Sequence, residues 1–376
     1  MSTVSPQQTS LHAEHAKLGA SFTDFGGWDM PLKYGSELAE HRAVREAAGL
    51  FDLSHMGEVR VRGPQAAAFL NTALVGNLAA VKVGKAKYSL ICNADGGIID
   101  DLISYRRAED EYLVVPNAGN AATVAAALAE RAAGFDVEVA DESSETSLVA
   151  VQGPAAAGIL LGLVPEDQRA LVEGMPYYAA DEATVAGIPV LLARTGYTGE
   201  DGFELYVPNA QAPALWAALL EAGQPHGLIP AGLACRDSLR LEAGMPLYGN
   251  ELSLESNPFE AGLGPVVSFK KEEYFVGRTA LAAAKEAGTG TAAGRRLVGL
   301  KGLGRRAGRG GYPVLKDGAV VGEVTSGQPS PTLGYPVALA YVDVEHTQQG
   351  TALDVDLRGK AEPFEVVDLP FYKRQK

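Results

Sequence analysis

The sequence predicts an α+β fold, a duplicated split βαβ unit followed by a small β-rich terminal domain. Three observations carry that expectation. Val59-Arg-Val61-Arg-Gly63-Pro64-Gln-Ala66-Ala67 is echoed 90 residues later by Val149-Ala-Val151-Gln-Gly153-Pro154-Ala-Ala156-Ala157. Tyr112-Leu-Val-Val-Pro116-Asn117-Ala118 is echoed 92 residues later by Glu204-Leu-Tyr-Val-Pro208-Asn209-Ala210. After residue 294 the chain changes to short strand-like runs separated by turn residues. Two echoes at nearly one offset are hard to attribute to composition, and internal repetition of this kind governs the whole fold.

Residues 1–58 are less regular, with a helix expected over 36–48 whose first free N–H groups Ser36 can cap. Each copy of the first echo reads as an alternating strand, then a Gly-Pro break with proline suited to a first helical turn, then an alanine-rich helix. Strands are expected over 87–92 and 98–105, then over 183–185 and 189–194 with Gly187 at the turn, and helices over 121–130 and 212–221. Each half thus approximates strand-helix-strand-strand-helix-strand, the split βαβ arrangement. A cleft between two such halves is the expected place for a ligand. The repeat register sets Glu204 against Tyr112. The small-residue stretch 284–294 reads as a linker. Beyond it, strands are expected over 297–300, 312–315, 319–325, 338–342 and 352–357, punctuated by Asp317-Gly318 and a turn over 327–332. The expected division is 1–283, with halves at about 52–140 and 141–230 and flanking segments 1–51 and 231–283, then the linker 284–294 and the β-rich domain 295–376.

The 376 residues include 32 Lys or Arg and 46 Asp or Glu, a formal charge of −14. That balance disfavours nucleic acid and anionic membranes, which repel an acidic surface across a Debye length. An apolar share of 47% supplies a core and argues against wholesale disorder. The two cysteines, Cys92 and Cys235, are too few for a disulfide framework and fit a reducing compartment, each expected as a small buried residue. No apolar run reaches the ~20 residues that span a bilayer. The start, Met1-Ser2-Thr3-Val4-Ser5-Pro6, lacks the pattern of a secretory signal, so a cytoplasmic location is expected.

Nucleotide-loop, serine-hydrolase and zinc-protease motifs are absent. His12 and His15, three residues apart, are expected as solvated side chains rather than a metal site. More telling is Asn93-Ala-Asp-Gly96-Gly97-Ile-Ile-Asp100-Asp101-Leu102, a glycine turn that delivers two carboxylates onto an apolar strand. Alternation sends Asp100 and Asp101 to opposite faces, so one at most points into a given cleft. A carboxylate among apolar neighbours is costly unless paired or used, and a salt bridge or turn role weighs about equally. Arg194-Thr-Gly196-Tyr197-Thr-Gly199-Glu200-Asp201-Gly202-Phe203-Glu204 holds more glycines and acids than a hairpin needs, although surface turns and strand-edge pairing would also place Glu200, Asp201 and Glu204. Tyr197 offers a stacking ring and a hydroxyl. Arg236 and Arg240 stand one helical turn apart, suited to bidentate capture of a carboxylate or to pairing with Asp237 or Glu242. Lys301-Gly-Leu-Gly-Arg305-Arg306-Ala-Gly-Arg309 is the densest basic patch, a soluble loop or a surface for an acidic partner.

Together with Asp24-Phe-Gly-Gly-Trp28-Asp-Met-Pro31, Phe51-Asp-Leu-Ser54-His55-Met56 and Ser330-Pro-Thr-Leu-Gly-Tyr335, these segments resemble the aminomethyltransferase, or T-protein, family of the glycine cleavage system, from about residue 11 to the C-terminus. The resemblance implies a three-domain cloverleaf, with duplicated ferredoxin-like halves forming a folate cleft and a C-terminal β-barrel-like domain. It implies transfer of the one-carbon unit of S-aminomethyl-dihydrolipoyl H-protein to tetrahydrofolate, releasing ammonia and 5,10-methylenetetrahydrofolate. The lipoyl-bearing H-protein is then the partner, with the P- and L-proteins functionally linked, and no metal, tightly bound flavin or nucleotide is expected. Residue by residue, Asp100 matches the family's functional aspartate. Tyr197, Glu204 and Arg236 match folate-binding positions, Tyr88 and Asn117 match cavity-lining positions, and Met56 is a further carry-over. Tyr372, with Lys373 beside it, falls where the family places an aromatic or basic residue near the site. Cys235 stands where the family has Gly or Ala. A folate-dependent demethylase of the same superfamily is the alternative enzyme. A non-catalytic folate-binding protein of iron–sulfur assembly is disfavoured by the missing K-G-C-Y-x-G-Q stretch.

Overall fold

The computed structural model describes residues 5–287 and 294–374. The N-terminal segment is more regular than expected. It carries α1 (His12–Lys17), the hairpin β1 (Ser21–Phe25) and β2 (Trp28–Lys33), α2 (Glu37–Glu46) and β3 (Ala48–Asp52). Ser36 caps α2 as expected, its hydroxyl accepting from the Ala39 N–H at 3.3 Å. The first half then runs β4 (Val59–Arg62), α3 (Ala66–Ala73), β5 (Lys85–Cys92), β6 (Ile98–Ala108), β7 (Glu111–Pro116), α4 (Ala121–Arg131) and β8 (Glu138–Asp141). The second runs β9 (Thr146–Gln152), α5 (Ala156–Leu161), α6 (Arg169–Gly174), β10 (Ala180–Val185), β11 (Ile188–Ala193), β12 (Gly202–Pro208), α7 (Ala212–Gly223) and β13 (Leu228–Pro230). Each half has one strand more than the schematic of four, because the residues between its hairpin and its last helix extend into a strand of their own.

Strand order exposes the duplication. The first sheet reads β5-β6-β7-β4-β8 and the second β10-β11-β12-β9-β3-β13. The fifth place is filled differently. In the first sheet β8 pairs antiparallel with β4, whereas in the second β3, from upstream of both halves, pairs antiparallel with β9, and β13 adds to it in parallel. The Gly-Pro breaks are equivalent down to single bonds. Gly63 N–H donates to Asp110 O at 2.9 Å and Gly153 N–H to Asp201 O at 2.8 Å. Both glycines sit at positive φ, and a Cβ would lie 2.4 Å from Asp136 O at Gly63 and 2.5 Å from Ala47 O at Gly153.

The register of the second echo is corrected by these pairings. Val61 stands opposite Tyr112, but Val151 stands opposite Phe203, so Phe203 is the counterpart of Tyr112, and Glu204, opposite Ala150, is the counterpart of Leu113. The equivalence along this strand is one residue off the sequence echo, and one residue moves a side chain to the other face. Phe203, Leu205 and Val207 turn into the helix-covered core with Leu215, Trp216 and Leu219 of α7, which leaves Glu204 and Tyr206 on the opposite face.

The chain divides into two compact units, one of Met1–Ala66, Val81–Lys87 and Ile103–Asp237, the other of Ala67–Ala80, Tyr88–Leu102 and Ser238–Lys376. The second unit holds the closing residues of α8 (Leu233–Glu242), then α9 (Arg278–Glu286) and β14 (Arg295–Gly302), β15 (Pro313–Lys316), β16 (Ala319–Pro329), β17 (Pro336–Asp343), β18 (Ala352–Asp356) and β19 (Ala361–Val367). These strands close a barrel in the order β14-β17-β16-β15-β18-β19, filled by alternating residues such as Leu300, Val324, Ala340, Val355 and Phe364. Strand β16 runs into the stretch expected as a turn, and β19 was not expected, because Pro363 reads as a strand breaker and sits here opposite Asp354. Of the expected linker, 284–286 close α9 and 288–293 lie outside the described residues. Cys92 and Cys235 are buried and not joined in a disulfide. Among the described residues no helix is long and apolar enough to cross a membrane.

Candidate active site

In the first unit, the turn from Arg194 to Asp201 is held by the residues that crowded it with charge. Arg194 grips Asp201 through two bonds of 3.0 and 2.6 Å, and Arg45 donates to Thr198 O at 2.7 Å and to Glu200 at 3.0 Å. Glu200 and Asp201 are thus structural. Gln152 Nε2 donates to Thr195 O at 3.0 Å, and Thr198 Oγ1 donates to Gln152 Oε1 at 2.9 Å. Gly196 and Gly202 are required by that contact, since a Cβ would lie 2.0 and 2.4 Å from the Gln152 amide.

This turn presents Tyr197, whose ring lies 4.8 Å from the Arg236 guanidinium. Glu204, at the start of β12, bonds the Thr195 hydroxyl closely and accepts from the Tyr105 hydroxyl at 3.3 Å. Tyr105 also bonds Thr195 at 2.8 Å, and Tyr206 donates to Tyr105 at 3.4 Å. Burial pushes the Glu204 carboxyl above the usual carboxylate range, against the Thr195 hydroxyl, the Arg236 charge and the Tyr105 hydroxyl, which all favour the ionised form. The result is an acceptor whose donors are fixed before any ligand arrives. His55 is buried, its Nδ1 has no hydrogen-bond partner among the described residues, and burial plus the Arg236 charge push it down to about 4, so the imidazole is neutral. Its neighbour Met56 is half-buried, as is Asn117, where β7 gives way to a helical turn.

In the second unit, Asn93 Oδ1 accepts from Asp95 N–H at 3.0 Å and Gly97 N–H at 2.8 Å, an Asx turn. Gly97 has no room for a side chain: a Cβ would lie 2.1 Å from Leu254 O. The Tyr248 hydroxyl donates to Ile98 O at 3.1 Å and pins the strand that follows. Asp100 is fully buried, while Asp101 points the other way and accepts from Tyr88 at 3.0 Å. Burial, then the Asp100 charge, push the Tyr248 hydroxyl above its ordinary range. Arg240 does not serve ligand capture. It is buried against Glu251 at 3.0 Å and Ser326 at 2.8 Å. Tyr372 N–H donates to Glu242 O at 2.8 Å, and Lys373 is exposed. In the basic loop, Lys301 lies 4.7 Å from the Tyr335 ring and Arg309 donates to Gly327 O at 3.2 Å.

Several residues escaped sequence reasoning. Tyr105, Thr195 and Gln152 lie far apart in sequence, and only the fold gathers them. His15 is buried, not solvated, bonding Asp52 at 2.8 Å and Tyr34 at 2.8 Å, while His12 bonds Asp29 at 2.9 Å. Among the described residues no three His, Cys, Asp or Glu side chains are placed to hold a metal ion.

A duplicated α+β unit followed by a six-stranded closed barrel is the class these elements define. Residues 11–271 match the family model described as GCVT N-terminal domain, and residues 295–373 match the glycine cleavage T-protein C-terminal barrel domain. The chain belongs to this glycine cleavage T-protein family. An aminomethyltransferase of Streptomyces avermitilis is 61% identical and one of Streptomyces coelicolor 60% identical, each over all of both chains. The glycine cleavage system aminomethyltransferase T of Bartonella henselae superposes with a TM-score of 0.88 at 38% identity, covering 98% of each chain. The activity is that of an aminomethyltransferase, a tetrahydrofolate-dependent transferase.

Proposed function

We propose that the aminomethyl donor is the lipoyl arm of H-protein, that the acceptor is tetrahydrofolate, and that the enzyme works in the cytoplasm beside the P- and L-proteins of the glycine cleavage system. The observation that carries this reading is the Glu204 carboxylate held by Thr195 and Tyr105, with Arg236 stacked on Tyr197. A pterin presents an amino group and ring N–H groups on one edge. Glu204 accepts from that edge, and the bonds it gains on binding favour its ionised form against the burial that opposes it. Tyr197 supplies a flat surface, and Tyr88, Asn117, Met56 and Tyr372 are the further residues we assign to folate binding.

Asp100 is the residue we assign to catalysis. Loss of ammonia from an S-aminomethyl group leaves cationic character on the transferred carbon. A buried, preorganised carboxylate stabilises that charge and orients the folate nitrogen that attacks it, without reorganising at the moment of reaction. The region 1–283 is assigned to this chemistry and the barrel from 295 to a supporting role. The test is an assay of ammonia and methylenetetrahydrofolate with aminomethylated H-protein, run in parallel with methylated amine donors. Both products should form from the H-protein adduct. Turnover with a methylated amine alone would replace this donor by that of a folate-dependent demethylase.

A further inference from the structure

The first unit contains a cavity of about 410 Å³ that the proposed folate chemistry does not use. Its size falls in the roughly 300–1,000 Å³ range of small-molecule sites. Glu58 lines it, fully buried, and neither carboxyl oxygen has a hydrogen-bond partner among the described residues. The backbone there is fully engaged: Glu58 N–H donates to Ser143 Oγ at 2.9 Å and Glu58 O accepts from Glu142 N–H at 2.8 Å. The backbone is therefore fixed, while no described residue hydrogen-bonds the carboxyl. It shares a face with Arg60, two residues on. Such a buried carboxyl is destabilising unless it is neutral or meets a ligand.

The apolar walls are formed by the buried Leu113 and Leu191, with the Tyr206 side chain beside them. The rim is acidic, with the half-buried Glu142 and the exposed Glu145 and Glu182 against a single cation among the described lining residues, Arg107. That cation is already engaged by Glu182, and by Glu111 at 3.5 Å. Arg60 is likewise committed to Glu142 at 2.6 Å. An anion would meet no available positive charge here, and no metal-binding set is placed among the described residues. What remains is an organic cation with an apolar stem.

We propose that this cavity binds a small primary alkylammonium, its nitrogen against the Glu58 carboxyl and its stem along Leu113 and Leu191. In the empty cavity, burial and the facing Asp141 and Glu142 push the Glu58 carboxyl well above the ordinary range, so it carries its proton. On binding, the O–H bond of Glu58 breaks and the proton leaves to solvent. The carboxylate then accepts an N–H bond from the incoming ammonium, so one cation enters and one proton departs.

The experiment is calorimetric titration of the full-length protein with pentylamine hydrochloride near neutral pH, in phosphate and in Tris, with 1-pentanol as the uncharged control. Saturable binding of one pentylammonium is expected, with close to one proton released, read from the difference between the buffers. Pentanol should bind roughly tenfold more weakly or less, the loss of one charge-assisted bond. Glu58→Gln should abolish the proton release and weaken pentylammonium by a similar factor. Glu145→Lys, an exposed rim change that leaves the core untouched, should weaken it several-fold and keeps the test open if Glu58→Gln fails to fold. Absence of saturable binding, pentanol binding as well as pentylammonium, or unchanged affinity in Glu145→Lys would each overturn the proposal. None of these readouts involves folate, so they stand apart from the outcome of the transfer assay.

Discussion

In the first half of the duplication β5 and β6 are joined through residues 93–97 and β6 and β7 through only 109–110, whereas in the second half β10 and β11 are joined through 186–187 and β11 and β12 through 194–201. Each half keeps one turn minimal and lengthens the other, and the lengthened turn differs between them. The long turn of the first half positions Asp100, and that of the second positions Tyr197 and delivers Glu204. The Gly-Pro breaks and the strand order are shared, so the scaffold is indifferent to which turn grows. On the assignment proposed above, function is elaborated by lengthening a turn, where insertion costs little, while the register of the sheets, whose change would turn every side chain over, is kept.

Asp100→Asn is the sharpest way to break the first half's contribution. It keeps the shape of the buried group and removes its charge. Formation of methylenetetrahydrofolate should fall by about 10²–10³, the scale of losing one preorganised electrostatic group, with folding and folate affinity largely retained. Undiminished turnover would sink the role assigned to this residue. Gly97→Ala acts on the same turn through its backbone. With Leu254 O standing 2.1 Å from the new Cβ, the strand must shift, and denaturant unfolding should show a loss of roughly 1–3 kcal/mol with reduced activity. Wild-type stability in that variant would mean the turn is looser than its contacts imply.

The parts of this fold legible in the sequence are those set by local chemistry. Gly-Pro breaks, alternating apolar runs and the Ser36 cap each act within a few residues, and they located both halves and most of the barrel. The glycine-rich turns were legible because their composition exceeded what a turn needs. What escaped depends on long-range pairing. Ala48–Asp52 is a uniformly buried strand whose two partners, β9 and β13, lie about 100 and about 180 residues away, and nothing local says that it joins the second sheet. The support of Glu204 by Tyr105 is of the same kind. Arg240 was misjudged because helical spacing places it correctly, while its partners Glu251 and Ser326 come from elsewhere in the chain.

Two buried groups close together at the start of the first half should respond to pH with opposite signs. His55 stays neutral down to about 4 in the folded protein but takes a proton near 6.5 when unfolded. Between those values the unfolded chain binds more protons, so this residue makes stability rise with pH, and its contribution is lost as pH falls. Burial pushes the Glu58 carboxyl well above the ordinary glutamate range, so the folded state holds the proton and its contribution is lost as pH rises through that higher range. In urea unfolding series, His55→Gln should flatten the slope between pH about 4 and 6.5, and Glu58→Gln should lessen the decline on the alkaline side. Two slopes of the same sign would mean that one of these side chains has gained a charged partner or access to water.

The smallest effect belongs to the minimal turn of the second half. Ala186 and Gly187 both have positive φ, 52° and 76°, the pattern of a two-residue hairpin turn whose twist matches its strands. Around Gly187 an added Cβ meets nothing within 4 Å, so Gly187→Ala carries backbone strain alone. That cost is about 1–2 kcal/mol for a non-glycine residue in the left-handed region. Unfolding should register a loss of this size, with transfer activity unchanged, because the turn supports no group assigned to the chemistry. Equal damage from Gly187→Ala and Gly97→Ala would dissolve the contrast between the halves: the short turn would then be doing more than closing a hairpin. A loss confined to stability at Gly187, beside a loss of both stability and activity at Gly97, is what an unequal elaboration of two equal scaffolds requires.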